Sequence, residues 1–198
     1  SSVNVFSDNL FTTIIFGNPS YTKNLNIENF YKDWKNKYDR KNFKEIDGEF
    51  IIIEISKRED SIKVINSRFA SPTLYYYIDN ETVYLSNNFF CIAKKLYKVG
   101  KFKINQNAVY EFFKFRRIFG NKTLDINSRF LMPFSVLDIQ KSKFNIYRYW
   151  KPNYKKNNRS LEDNAYSLKE ELVKSWNFLL SDIKKPILML SGGLDTRF

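Results

Sequence analysis

Ser191-Gly192-Gly193-Leu194-Asp195-Thr196 directly follows the apolar run Ile187-Leu188-Met189-Leu190. A hydrophobic strand that feeds S-G-G-x-D-[ST], with a helix beyond, is how a pyrophosphate-binding loop is built. Two glycines lack a Cβ, so the backbone can turn sharply and come close to a ligand. The start of a helix offers unpaired N–H groups and a partial positive charge. Ser191 and Thr196 add hydroxyl donors. Asp195 would repel a phosphate, but it suits a Mg²⁺ that bridges phosphates. No Gly-Lys-[Ser/Thr] follows, so this is not a Walker A loop. The bland alternative is an ordinary Gly-Gly turn after a strand.

Other chemistry is scarce. The chain has no histidine, which excludes His-based acid–base catalysis and His-ligated metal within these residues. Its one cysteine, Cys91, excludes an internal disulfide and favours a reducing, cytoplasmic compartment. Cys91 falls in the apolar stretch Phe89–Leu96, where a core position is expected. The net charge of +12 raises the question of a nucleic-acid partner. The lysines are scattered among Asn, Ile, Tyr and Phe, however, and form no sustained block, which argues against nucleic acid as the main partner. No apolar run approaches the roughly 20 residues of a membrane span, and no signal-peptide pattern is present.

The elements that must position the loop can be read from periodicity. Phe11–Phe16 reads as a strand. Ile27, Phe30, Tyr31, Trp34 and Tyr38 form one stripe of an amphipathic helix, with Asn24 or Asn26 as its cap. Phe50–Ser56 is a buried strand, paired with Ser61–Ser67 across a polar turn. Leu74–Ile78 and Thr82–Ser86 flank a second hairpin turn. Phe89–Leu96 is a short helix. Asn105–Ile118 is an amphipathic helix with Val109, Phe112 and Phe113 inward. Phe134–Gln140 and Phe144–Tyr149 form another strand pair. Lys151–Arg159 is a polar linker. Ser160-Leu161-Glu162-Asp163 resembles a capping box that opens a helix with Ala165, Leu168, Leu172, Trp176 and Leu179 on one face. The order predicts an α+β domain over 1–150, then the beginning of an α/β nucleotide-binding domain over 151–198.

Several weak motifs occur along this frame in one order. Asp47-Gly48-Glu49-Phe50 is followed by Asn66-Ser67-Arg68-Phe69-Ala70-Ser71-Pro72-Thr73-Leu74-Tyr75-Tyr76. Then come Val83-Tyr84-Leu85-Ser86-Asn87, Met132-Pro133 and Tyr149-Trp150-Lys151-Pro152. Together with the terminal loop they resemble the asparagine synthetase family over roughly residues 11–198. The resemblance implies a class II glutamine amidotransferase unit, a four-layer αββα sandwich of the N-terminal-nucleophile type. It also implies the start of an ATP-pyrophosphatase synthetase domain that uses ATP and Mg²⁺. Such enzymes adenylate a carboxylate, release pyrophosphate, and let an amine or ammonia displace AMP to form an amide. Ser191, Gly192, Gly193 and Thr196 would hold the pyrophosphate, Asp195 the Mg²⁺, and Met189 would lie near the adenine. The substrate would be a small-molecule or peptide carboxylate, and a homodimer is compatible with this class. The remainder of the ATP pocket is expected from outside this segment, so the segment alone should not be a working synthetase.

The glutamine motifs depart from the family. No Cys-Gly-Ile start is present, so no catalytic residue is assigned. The best match to the family's N-G-E segment, which supplies an oxyanion hole, is Phe16-Gly17-Asn18-Pro19-Ser20-Tyr21. There the N-G order is reversed and the acid is replaced by Pro19, which has no N–H to donate. Arg68 keeps the Arg of an R-D pair, with Phe69 in place of Asp and Ser71 in place of the loop glycine. The expectation is an amidotransferase-like unit that cannot hydrolyse glutamine. The alternative is a non-catalytic binding or structural domain that retains this fold.

Overall fold

The computed structural model describes residues 3–21, 26–36, 43–80, 82–141, 143–154, 156, 158–180, 185–187, 191 and 193. The chain divides into two compact units, Ser1–Pro152 and Asn153–Phe198. The first is a mixed α+β unit with two antiparallel sheets.

The larger sheet contains β1 (Val3–Ser7), β2 (Phe11–Gly17), β3 (Phe50–Ser56), β4 (Ser61–Asn66), β8 (Ser135–Gln140) and β9 (Lys143–Arg148), in that spatial order. The smaller contains β5 (Tyr75–Ile78), β6 (Val83–Ser86) and β7 (Arg129–Phe130), ordered β6-β5-β7. Residues two apart share a face of a strand, and β3 shows why its run is almost wholly apolar. Phe50 and Ile52 join Phe30 and Trp34 of helix α1 (Ile27–Asn36) in one core. Ile51 and Ile53 join Leu74, Tyr76 and Leu131 in another core, which brings the two sheets together. A third core sets Tyr77 of β5 against Ile92 and Leu96 of α2 (Phe89–Lys98). Both faces of β3 are therefore covered, and a strand covered on both sides reads as a continuous hydrophobic run rather than an alternation.

Asn26, one of the two caps the sequence offers, opens helix α1. Asn26 Oδ1 accepts the N–H groups of Glu28 and Asn29 at 2.9 and 3.1 Å. Phe6 stacks on Tyr31 with ring centroids 4.2 Å apart, so β1 is held by the helix as well as by β2. β1 escapes the periodicity reading because Val3 and Val5 face solvent. β7 escapes it because two residues carry no period.

The β1–β2 turn is organised by Asp8. Its Oδ1 accepts the N–H of Leu10 at 2.7 Å and of Phe11 at 2.8 Å. Lys35 Nζ lies 3.2 Å from Oδ2. These backbone bonds first, and Lys35 after them, hold the carboxyl down at about 2, well below its ordinary 3.8. A carboxyl depressed by folding contributes its stability above the unfolded-state value and loses it as pH falls through the folded one. Asp8→Asn should therefore be less stable than the wild type at pH 6, and the gap should close between about pH 4 and pH 2. Urea midpoints measured across that range check this, and a pH-independent gap would contradict it.

Two sequence expectations are corrected here. Helix α3 runs Gln106–Phe115, capped by Asn105, whose Oδ1 accepts the Ala108 N–H at 3.2 Å. Ala108 is its buried residue; Phe112 and Phe113 are 45% and 74% exposed rather than inward. The helix approaches its support through the small Ala108 side chain, so its bulky residues are turned aside or outward. Cys91 is the second correction: it lies on α2 but is exposed. Ile92 and Leu96, one turn apart, define the inward face of α2, and Cys91 sits about a third of a turn away from it.

In the second unit, α4 (Leu161–Leu180) follows Ser160, whose Oγ accepts the Asp163 N–H at 3.0 Å. Leu168, Leu172 and Trp176 recur at helical spacing, and all three are exposed. Tyr38 and the Leu179 side chain lie outside the described residues. No described helix is long and apolar enough to cross a membrane.

Candidate functional site

Of the six residues assigned to the nucleotide loop, Ser191 and Gly193 are described. Met189, Gly192, Asp195 and Thr196 lie outside the described residues. The Gly193 N–H donates to Ser191 Oγ at 3.2 Å. A hydroxyl that accepts a backbone N–H two residues on tightens a turn. Both residues are exposed. Among the described residues, no cluster of three or more His, Cys, Asp or Glu side chains could hold a metal ion.

The motifs of the first unit are far apart in sequence and come together at one end of the larger sheet. The β2–β3 ladder continues past the strand ends. Asn18 N–H donates to Glu49 O at 2.9 Å, and Ser20 and Asp47 exchange two backbone bonds at 3.0 and 2.8 Å. Gly17, which pairs with Phe50 just before these rungs, and Gly48, which lies between them, adopt φ of +84° and +96°. A Cβ on Gly17 would lie 2.1 Å from Glu49 O, and one on Gly48 would lie 2.2 Å from Asn18 O. Phe50, the last residue of the Asp47–Phe50 motif, anchors this ribbon in the core with no exposed surface.

Arg68 links that ribbon to the rest. Its Nη1 lies 3.1 Å from Asp47 Oδ1, and its Nη2 donates to Lys44 O at 2.6 Å. Its guanidinium carbon stands 5.5 Å from the centroid of the Trp150 ring, a cation–π contact. Trp150 in turn meets Phe134 edge-on. The neighbouring Tyr149 donates its hydroxyl to Asn66 O at 2.8 Å, and burial pushes that hydroxyl up to about 12. Asn66 donates from Nδ2 to Leu131 O at 2.9 Å and, at 3.4 Å, to Met132 O. Asp47-Gly48-x-Phe50, Asn66–Arg68, Met132 and Tyr149-Trp150 thus form one connected assembly.

The loop after Arg68 is tightened by Ser67, whose Oγ donates to Ser71 O at 2.8 Å and accepts the Ser71 N–H at 3.2 Å. The left-handed backbone falls on Ala70, at φ +52°, one residue before Ser71. Phe69, in the place of the expected acid, points into solvent at 82% exposure.

The main-chain donors of the Asn18–Ser20 segment are already engaged. The N–H groups of Asn18 and Ser20 are engaged by main-chain carbonyls, and Pro19 has none. Asn66 Oδ1 and Arg68 Nε are buried without a partner among the described residues. Sequence reading found Gly17, Asp47, Gly48, Asn66 and Arg68 only as motif letters. It gave no contacts to Gly17 or Asn66, because those that define them span some 30 to 80 residues.

No known family model matches the chain. No curated protein matches it either.

Proposed function

We propose that the chain is the N-terminal part of an ATP-dependent, amide-forming enzyme of the asparagine synthetase type. In this reading its first unit is an amidotransferase-like domain that does not hydrolyse glutamine. The observation that carries the reading is the meeting of Asp47-Gly48-x-Phe50, Arg68 and Trp150 beside Gly17–Ser20. Separate motif fragments that resemble one family occupy one place in the fold. The succession α1, larger sheet, smaller sheet, α2 supports a four-layer αββα sandwich of the N-terminal-nucleophile type.

The chemistry assigned to the whole protein is carboxylate activation. A carboxylate oxygen of a small molecule or peptide attacks the α-phosphorus of ATP and pyrophosphate leaves. An amine then attacks the acyl carbon and AMP leaves. Ser191, Gly192, Gly193 and Thr196 would bind the pyrophosphate, Asp195 would hold Mg²⁺, and Met189 would border the adenine. The low cysteine content is in keeping with a cytoplasmic setting.

The loss of glutaminase activity rests on the Gly17–Ser20 ribbon, where the Asn18 and Ser20 N–H groups donate to Glu49 O and Asp47 O and Pro19 has no N–H. The purified chain incubated with glutamine should release glutamate at the rate of a buffer blank. Steady release, abolished by a glutamine-directed alkylating agent, would contradict this part of the reading.

A further inference from the structure

The smaller sheet ends on β6, and the parity of its ladder shows which groups that edge presents. Asp79 N–H donates to Thr82 O at 3.0 Å, and Leu131 N–H donates to Leu74 O at 2.8 Å. Hydrogen-bonded and non-bonded pairs alternate along antiparallel strands. Tyr75 and Tyr77 therefore turn their backbone groups toward β6, while Tyr76 and Ile78 turn theirs away from it. Leu85 stands opposite Tyr76 and Val83 opposite Ile78. The N–H and C=O groups of Val83 and Leu85 thus point out of the sheet, and among the described residues they meet no partner.

A groove of about 300 Å³ runs between this edge and α2, lined by Val83–Ser86 together with Cys91, Ile92 and Lys95. Lys95 Nζ sits over the Tyr84 ring, 5.6 Å from its centroid. Lys94, Lys95 and Lys98 make α2 basic, and the helix has no acidic residue. We propose that this edge and groove bind an extended acidic peptide, which adds to β6 as a further strand. Main-chain bonds to Val83 and Leu85 would supply affinity, and alternate side chains would supply specificity. Tyr84 packs with the α2 core, whereas Val83 and Leu85 pack toward the larger sheet. An added strand keeps that alternation, so its carboxylates would face Lys95 and its apolar residues the other side. This inference does not depend on the amide-forming reading.

The test uses fluorescein-labelled peptides of alternating Glu-Val and, as the charge control, alternating Lys-Val. Anisotropy should show saturable binding of the Glu-Val peptide and not of the Lys-Val peptide. Cys91 is the chain's single cysteine. The Glu-Val peptide should slow its alkylation by iodoacetamide, which locates the complex in the groove. Lys95→Glu should weaken binding about tenfold. Leu85→Pro removes an outward N–H without removing a β5–β6 bond, and should abolish binding. If Leu85→Pro does not fold, the Lys95→Glu and alkylation results still decide. No saturable binding, equal binding of both peptides, or unchanged Cys91 alkylation would overturn the proposal. So would dimerisation that protects Cys91 without peptide, which would assign the edge to a second copy of the chain.

Discussion

Gly48→Ala should destabilise the first unit by about 3 kcal/mol or more. Two independent costs add at this position. An L-residue at φ +96° is strained by roughly 1 kcal/mol or more. The new Cβ would also lie 2.2 Å from Asn18 O, which is backbone and cannot swing aside as a side chain would. Relief requires parting the ribbon, which endangers the Asn18–Glu49 and Ser20–Asp47 bonds and pulls on buried Phe50. Gly17→Ala meets the same obstacle from the facing strand, with Glu49 O at 2.1 Å. The two substitutions distort one ribbon, so the double variant should lose less than the sum of the singles. Gly120→Ala is the internal control. It has φ +71° but open space around its Cβ, and should cost only about 1 kcal/mol. Urea unfolding of the three single variants and the double variant measures these differences. Equal losses for Gly48→Ala and Gly120→Ala would show that the close approach is not the determinant.

That ribbon also marks the limit of what could be read from sequence. Local patterns were legible. The stripe from Ile27 to Trp34, the choice of Asn24 or Asn26 as its cap, the buried run of β3 and the hairpins all rest on neighbours within a few turns or rungs. The α+β character followed from their order. The pairing of Gly17 with Phe50, the reach of Arg68 to Asp47, and the bond from Tyr149 to Asn66 are tertiary contacts without a local period. Motif letters could therefore be noticed without the reason that joins them. Phe112 and Phe113 are exposed although their spacing predicts an inward stripe, because hydrophobic spacing shows that a stripe exists, not that another element covers it. Here small Ala108 sets the contact instead. Cys91 is exposed for a related reason: an apolar residue on an apolar helix need not lie on the face chosen by Ile92 and Leu96.

The second large effect belongs to the loop at Ser191–Thr196. If this loop holds the pyrophosphate of ATP, one carboxylate must offset the phosphate charge by positioning Mg²⁺, and Asp195 is the acidic residue within it. Asp195→Asn keeps the size and removes the charge. A hard divalent ion prefers anionic oxygen, so the amide is a poor replacement. Removing one charged contact from a transition state costs on the order of a hundredfold or more in rate. Ser191→Ala should be milder, because it deletes one hydroxyl and leaves the loop's backbone donors in place. The most direct measurement is ATP–pyrophosphate exchange by the full-length protein with a panel of carboxylates, in wild-type and Asp195→Asn forms. The proposed function predicts carboxylate-dependent, Mg²⁺-dependent exchange that falls to background in Asp195→Asn. Exchange unchanged by Asp195→Asn, or wild-type protein that neither exchanges nor binds Mg²⁺·ATP, would contradict it.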